Sequence, residues 1–134
     1  MAKEYLTTGI VLFAHGSSVE EANHGVRELA QKVEAAGLYQ YVRAAFPKQS
    51  RPDLSRAVQE AIAAGIYRVI VVPYFLTMGI HLRRDLSQLV AAAKRTHPDV
   101  EIEVGQSLEG HPLMPSIVLG RVQEVLDGAR WAVR

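Results

Sequence analysis

The chain has 134 residues, of which 49% are hydrophobic and 22% charged, and its formal net charge is +1. This size and composition indicate one folded domain over residues 1–134, and the balanced charge leaves no basic footprint for a nucleic acid. The absence of cysteine excludes disulfides, thiolate metal sites and cysteine nucleophiles. Because Met1–Thr8 has no apolar signal core and no apolar run reaches about 18 residues, we expect a cytoplasmic protein without a membrane segment.

The first half of the chain predicts two strand-then-helix units. Thr8–Ala14 is a continuous apolar run, which is typical of a strand buried on both faces, and Glu20–Ala36 then carries apolar residues at helical spacing. Tyr41–Phe46 predicts a short second strand. The next helix opens at Pro52 and Asp53 and is stopped by the glycine at position 65.

The second half repeats the pattern. Arg68–Pro73 is a strongly β-branched strand, and an apolar stripe over Leu82–Ala93 predicts a helix that breaks at the proline at position 98. Val100–Gly105 alternates apolar residues with glutamate, which indicates a half-exposed edge strand. A last stripe over Met114–Val125 predicts a helix, and Gly128–Arg134 is expected to be a loose tail.

Repeated βα units predict an α/β fold with a parallel sheet of about four strands and helices on both faces. In such sheets the ligand site lies beyond the carboxyl ends of the strands. The unusual residues of this chain follow predicted strands, and the segments that carry them are residues 14–18, 47–52, 73–81 and 106–112. We therefore expect one functional edge formed by these loops.

Two histidines at that edge are candidates for chemistry. His15 directly follows a buried strand, and Gly16 lets the backbone turn sharply there. His81 follows a long apolar loop, Tyr74–Ile80, near the start of a helix, where the helix dipole favours the neutral imidazole that a metal ligand needs. Each ring could instead only cap its loop or face solvent, but two histidines on one apolar rim favour a site, as metal ligands or as bases.

The other histidines are interpreted as structural, and other enzyme classes are disfavoured. His24 is expected on a solvated helix face, His97 at a helix end, and His111 in a turn. Ser17 and Ser18 beside His15 could belong to a hydrolase, but the G-x-S-x-G elbow is absent. A mutase-type phosphohistidine site carries an arginine before the His-Gly pair, and here that residue is an alanine.

In order along the chain, the segments resemble the CbiX family of cobalt and iron chelatases that act on sirohydrochlorin. The resemblance covers nearly the whole chain and rests on four motifs in register: Val11-Leu12-Phe13-Ala14-His15-Gly16-Ser17 with Ala22-Asn23; Ala45-Phe46 with Pro52-Asp53-Leu54; Val72-Pro73-Tyr74-Phe75-Leu76 with Gly79-Ile80-His81 and Asp85-Leu86; and Gly110-His111-Pro112-Leu113.

The resemblance implies a single-lobe chelatase-like fold that pairs as a homodimer around a tetrapyrrole and serves cobalamin or porphyrin biosynthesis. It carries the metal-binding and catalytic roles onto His15 and His81, which would hold the metal and help remove pyrrole protons. The metal is then a substrate, Co²⁺, Fe²⁺ or Ni²⁺, and no organic cofactor is expected. Contacts to the macrocycle are expected from the first loop and the apolar loop, at Ser17, Phe75, Leu76, Met78, Gly79 and Ile80, while the arginines Arg51, Arg83 and Arg84 could meet its carboxylates.

One departure from the family pattern affects the second-strand loop. The family commonly has a Phe-Leu-Glu run there with a further acidic residue before the proline, whereas this chain has Lys48 and Arg51 at those places. A carboxylate would attract a cation and accept protons, and a lysine repels the metal instead. This favours an alternative function, a non-catalytic tetrapyrrole- or metal-binding protein of the same fold, unless Glu20, Glu21 or Glu109 supplies the carboxylate.

Overall fold

The fold is known from a computed structural model that describes residues 6–16, 20–47 and 50–131, with side chains left undescribed at residues 20–22. Strands and helices alternate as the sequence predicts: β1 Thr8–Phe13, α1 Glu20–Ala35, β2 Val42–Ala45, α2 Leu54–Ala63, β3 Arg68–Pro73, α3 Ile80–Thr96, β4 Glu101–Val104 and α4 Met114–Leu126. Within the described ranges, no helix is long and apolar enough to cross a membrane.

The element boundaries differ from the predicted ones by one or two residues. Strand β2 is shorter than expected because Phe46 leaves the ladder to pair with Asp53 in an isolated bridge, and the Phe46 N–H donates to the carbonyl of Pro52 at 2.9 Å. Helix α3 begins at Ile80, two residues before the first apolar residue of its predicted stripe, so it includes His81 in its first turn.

The four strands form one parallel sheet in the order β2-β1-β3-β4. This confirms the predicted α/β fold and places β4 at an edge, where its glutamates are exposed and Ile102 is buried. Strands β1 and β3 lie side by side in the middle, with Phe13 in register with Pro73. Their carboxyl ends therefore meet at the centre of one edge of the sheet.

Helices pack on both faces of the sheet, but unequally. The face that we call the two-helix face carries α2 and α3, whose apolar side chains pack with Val11, Val69 and Val71, all fully buried. The opposite face, called here the one-helix face, carries α1, which packs mainly over β1 and β2. Residues that point to this face from the middle of the sheet, such as Ile70 and Val72, stay partly exposed.

A buried tyrosine joins the second strand to the two-helix face. The Tyr41 hydroxyl donates to the carbonyl of Ala57 in α2 at 3.2 Å, and the guanidinium of Arg43 lies 4.4 Å from its ring centroid. Burial raises the pKa of Tyr41, and this outweighs the opposite effect of the Arg43 charge. The phenol is therefore held neutral in the folded protein.

The last helix stands apart from the rest of the fold. None of the α4 residues is buried against the described part of the chain, and only Met114 at its start is partly covered. The exposed fractions of its large apolar side chains run from 45% at Val125 to 73% at Leu126. The predicted amphipathic helix is present, but its apolar side is not packed on this domain.

Candidate metal and tetrapyrrole site

His15 lies at the carboxyl end of the central strand β1. The N–H of Ala14 still donates to the carbonyl of Ala45 at 3.0 Å, which fixes the chain up to that residue, and Ala14 itself is buried. His15 comes next and is exposed, and Gly16 has a φ of 79°. The sharp turn that the glycine predicts is therefore present, and it leaves the imidazole at the edge of the sheet.

A buried polar contact supports this turn from below. The side-chain amide of Asn23 in α1 donates to the hydroxyl of Ser50 at 3.3 Å, and Asn23 is only 2% exposed. A Cβ on Gly16 would lie 3.3 Å from the Ser50 hydroxyl and 3.4 Å from the Cβ of Phe46. The loops after β1 and β2 are therefore packed against each other at Gly16, the residue that follows His15.

Asn23 is a residue whose structural role the sequence argument missed. It was noticed only as part of a family motif. Its position three residues before Val26 and seven before Ala30 puts a polar side chain on the apolar face of α1, and these two neighbours are buried. A polar residue in an apolar stripe needs a buried hydrogen-bond partner, which is the signal that could have predicted a buried hydrogen bond for Asn23, although it does not identify Ser50 as the partner.

His81 lies in the first turn of α3. The helix is capped by Gly79, whose φ of −76° and ψ of 175° give it extended backbone, and no side chain caps this end. The ring of His81 is exposed. His81 is therefore separated from the end of the central strand β3 by the apolar loop, as the sequence predicts.

The two histidines belong to the same edge of the sheet. The N–H of Tyr74, just past β3, donates to the carbonyl of Phe13 at the end of β1 at 2.8 Å. Within the described ranges, no three histidine, aspartate or glutamate side chains cluster closely enough to hold a metal. An ion at this edge would have at most two of these described side chains as ligands, which leaves coordination positions open.

The apolar loop between β3 and α3 has an inner and an outer side. The ring of Phe75 meets the ring of Phe13 edge to face, with centroids 6.2 Å apart, and Met78 also packs on the core of the two-helix face. Leu76 and Ile80, by contrast, are 62% and 71% exposed. Phe75 and Met78 therefore hold the loop in place, and the side chains of Leu76 and Ile80 face the surface.

A carboxylate from the fourth loop joins this region. The Oε2 atom of Glu109 accepts a hydrogen bond from the backbone N–H of Met78 at 3.3 Å, and Glu109 is exposed. Together with Met78 and Arg83 it borders a groove of about 860 Å³ beside α3. Of the three glutamates considered from sequence, this is the one whose side chain the structure describes, and its partner Met78 precedes His81 by three positions in the chain.

The second-strand loop is held by an arginine. The guanidinium of Arg27 in α1 lies 5.3 Å from the ring centroid of Phe46 and donates to the carbonyl of Arg51 at 3.0 Å; the Arg51–Pro52 bond is cis. Arg51 is exposed and borders a cleft of about 590 Å³ with Asp53. Ser17, Ser18 and Lys48, named in the sequence argument, lie outside the described residues.

The remaining histidines make local contacts. The N–H of Leu113 donates to Nδ1 of His111 at 3.0 Å, in the turn before α4. His97 is the C-cap of α3. His24 is exposed on α1, 3.9 Å from a carboxylate oxygen of Glu28. These contacts agree with the structural roles that the sequence predicts for them.

The model of the CbiX family matches residues 9–125, which includes the four strands except for Thr8 and all of α4 except for Leu126. The chain belongs to the CbiX family. Among the relatives of this CbiX protein is a sirohydrochlorin cobaltochelatase from Methanopyrus kandleri, 27% identical over 137 residues, with 87% of this chain and 96% of the relative covered. The chloroplastic sirohydrochlorin ferrochelatase of Arabidopsis thaliana is 28% identical, and the match covers 89% of this chain but 53% of that protein.

A solved structure supports the same assignment. A CbiX protein from Marinobacter aquaeolei VT8, described as a putative cobalamin biosynthesis protein, superimposes with a TM-score of 0.80 at 26% identity. The superposition covers 91% of this chain and 99% of that chain. This CbiX protein therefore shares the fold of that structure over 91% of its own length.

Proposed function

We propose that this CbiX protein is a metal chelatase that inserts Co²⁺ or Fe²⁺ into sirohydrochlorin or a related tetrapyrrole in the cytoplasm. The observation that carries the proposal is the family match over residues 9–125 combined with His15 and His81 at the carboxyl edge of adjacent central strands. The names of the relatives, which include a cobaltochelatase and a ferrochelatase, support both the reaction and the choice of metals.

In the proposed reaction, the neutral imidazoles of His15 and His81 hold the incoming ion. Imidazole suits cobalt, iron and nickel, and two protein ligands leave positions for the pyrrole nitrogens to take over the metal. Two pyrrole protons leave as the metal enters, so the site needs a base. We assign the role of base to the two histidines as they release the metal. The Glu109 carboxylate beside Met78 is a further proton acceptor.

The exposed side of the apolar loop is the proposed contact with the macrocycle. Leu76 and Ile80 present apolar surface at the edge that carries the histidines. An apolar ring face would remove this surface from water, while Arg51, Arg83 and Arg84 could pair with the carboxylates at the ring periphery. In this proposal, Phe75 and Met78 hold the loop in position, and they are not fully exposed to the substrate.

A homodimer is part of the proposal. A flat macrocycle with several carboxylates needs two walls, and one lobe of this size provides one. A two-fold pair supplies the second wall through the same surface of another copy.

The test is metal insertion above the spontaneous rate. The protein is incubated with sirohydrochlorin and Co²⁺, and the absorbance change is compared with that of a protein-free sample and of a His15→Ala, His81→Ala double variant. A rate above both controls supports the chelatase. Tight binding of the tetrapyrrole without acceleration would favour the non-catalytic alternative, which the exposed Arg51 at the second-strand loop supports.

A further inference from the structure

The start of helix α3 has no stabilising side chain of its own. Its N-cap is Gly79, no side-chain hydrogen bond caps it, and no residue of the first turn is acidic. The fourth helical residue is Arg83, and a positive charge near a helix N-terminus opposes the helix dipole. Helix α2 differs, because the carboxylate of Asp53 accepts from the N–H of Arg56 at 2.9 Å. The helix that carries His81 therefore begins without the local support that α2 has.

Glu109 brings a carboxylate to the start of α3 from the fourth loop. Its Oε2 atom accepts a hydrogen bond from the N–H of Met78, the residue directly before the N-cap, at 3.3 Å. Among the residues that the structure describes, this is the one hydrogen bond that joins residues 76–79 to a segment other than α3. A negative charge near a helix N-terminus is stabilising. Glu109 thus supplies, from 31 positions along the chain, the charge that the first turn lacks.

The backbone that carries Glu109 is itself held in place. The N–H of His111 donates to the carbonyl of Leu108 at 3.1 Å and closes a turn around Glu109. The third residue of this turn is a glycine with a φ of 74°, which a type II turn requires. The start of the loop is bonded to β3 through the N–H of Gly105 at 2.8 Å. The fourth loop is therefore anchored on the same strand that leads to His81.

We propose that Glu109 is a positioning residue for His81. Its carboxylate holds the start of α3 against the fourth loop, and His81, the second residue of that helix, is thereby kept at the carboxyl edge of the sheet. A ligand that is already in place loses less freedom when the metal binds, and residues that orient a metal ligand typically change affinity about 10–100-fold. The inference rests on the proposed role of His81 as a metal ligand.

The first test compares Co²⁺ binding by two variants at position 109. Glu109→Gln keeps an oxygen that can accept from Met78 and removes the charge, whereas Glu109→Ala removes both. In calorimetric titrations we expect the Kd for Co²⁺ to rise about tenfold in Glu109→Ala and about threefold in Glu109→Gln. Glu101→Ala removes an exposed glutamate from β4 and is the matched control, with a Kd within about twofold of wild type.

Two results of this comparison would overturn the positioning role. One is a Glu109→Ala protein that binds Co²⁺ as tightly as the Glu101→Ala control. The other is an equal loss in Glu109→Gln and Glu109→Ala, because a base or a direct metal ligand would lose its function in both variants, whereas a hydrogen-bonded cap is partly restored by the amide.

Amide hydrogen exchange tests the physical mechanism without metal or tetrapyrrole. The N–H of Arg83 donates to the carbonyl of Gly79 at 3.1 Å and closes the first turn of α3. This N–H should exchange about fivefold faster or more in Glu109→Ala. The N–H of His97, bonded to the carbonyl of Ala93 at the other end of α3 at 2.9 Å, should not change. An unchanged rate at Arg83 would overturn the inference.

A local cap should rescue the Glu109→Ala variant. Gly79 has extended backbone, and a Cβ built there meets nothing within 4 Å, so Gly79→Asp can supply a carboxylate at the N-cap itself. Combined with Glu109→Ala, it should return the exchange rate of the Arg83 N–H to within about threefold of wild type. No recovery would show that the effect of Glu109 does not pass through the start of α3, which overturns the inference.

His81→Ala separates a failure of this inference from a failure of the proposed function. If His81→Ala weakens Co²⁺ binding and Glu109→Ala does not, the positioning role is wrong and the metal-site assignment stands. If His81→Ala leaves Co²⁺ binding unchanged while the Arg83 N–H responds to Glu109→Ala, the cap is real, but both the metal-site assignment and the positioning role are overturned.

Discussion

The turn beneath His15 gives the sharpest stability prediction, through replacement of Gly16 by alanine. Gly16 has a φ of 79°, where a residue with a Cβ costs roughly 1–2 kcal/mol. The new Cβ would also lie 3.3 Å from the Ser50 hydroxyl and 3.4 Å from Phe46, closer than most Cβ contacts, so these neighbours must shift. We expect Gly16→Ala to lower the free energy of unfolding by about 1–3 kcal/mol in total.

A second glycine provides a matched control. Gly25 lies inside α1 and is exposed, and a Cβ built there meets nothing within 4 Å. Alanine at such a position stabilises a helix, so Gly25→Ala should raise the free energy of unfolding by about 0.4–1 kcal/mol. The same substitution should thus have opposite signs at the two positions, and the difference comes from the backbone and the space around it.

The assay is urea unfolding followed by circular dichroism, with all proteins at one concentration because the proposed homodimer would make the apparent stability depend on concentration. Cobalt affinity is measured on the same samples by calorimetry, and Gly16→Ala should weaken it because the turn orients His15. A Gly16→Ala protein as stable as the Gly25→Ala control would refute the reasoning, since neither the positive φ nor the contacts with Ser50 and Phe46 would then matter.

Three further predictions concern the site and the core. His15→Ala and His81→Ala should each abolish tight Co²⁺ or Ni²⁺ binding in calorimetric titrations while the circular dichroism spectrum is retained, and unchanged affinity in both would remove the site assignment. If the second-strand loop lines the cleft, Lys48→Glu should raise the initial rate of metal insertion about tenfold, which corresponds to ~1.4 kcal/mol, because it removes a charge of the same sign as the metal from that loop; a lower rate with a raised KM for the macrocycle would instead make Lys48 a substrate contact. Because burial raises the pKa of Tyr41, the folded state favours the neutral phenol, so its contribution to stability is present below about pH 10 and is lost as the pH rises further. Tyr41→Phe should therefore show a shallower loss of unfolding free energy above about pH 10 in urea titrations, and parallel curves for the two proteins would contradict this.

The order and type of the elements could be predicted because local patterns determine them. The β-branched run Arg68–Pro73 is observed with the predicted bounds, and the alternation of glutamate with valine and isoleucine correctly placed β4 at an edge. The carboxyl-edge position of His15 and His81 followed from the same reasoning, since parallel strands end at one edge.

Contacts between distant segments could not be predicted in this way. The Asn23–Ser50 hydrogen bond joins residues 27 positions apart, and nothing local to either one selects the other. The inward direction of Phe75 depends on the ring of Phe13 in another strand. The apolar pattern of α4 predicts an amphipathic helix, but a pattern does not say which surface will cover it, or whether that surface belongs to the same chain.

The charges on the outer strand affect how the protein can assemble. Strand β4 has four residues, and two of them are glutamates; Glu103 is bound by the Arg68 guanidinium through two hydrogen bonds of 3.1 and 3.0 Å. A short, charged edge resists pairing with the strand of another molecule. Growth by adding strand to strand, which could continue without limit into fibres, is therefore opposed at β4, whereas contacts made through helices can stop at a defined number of chains.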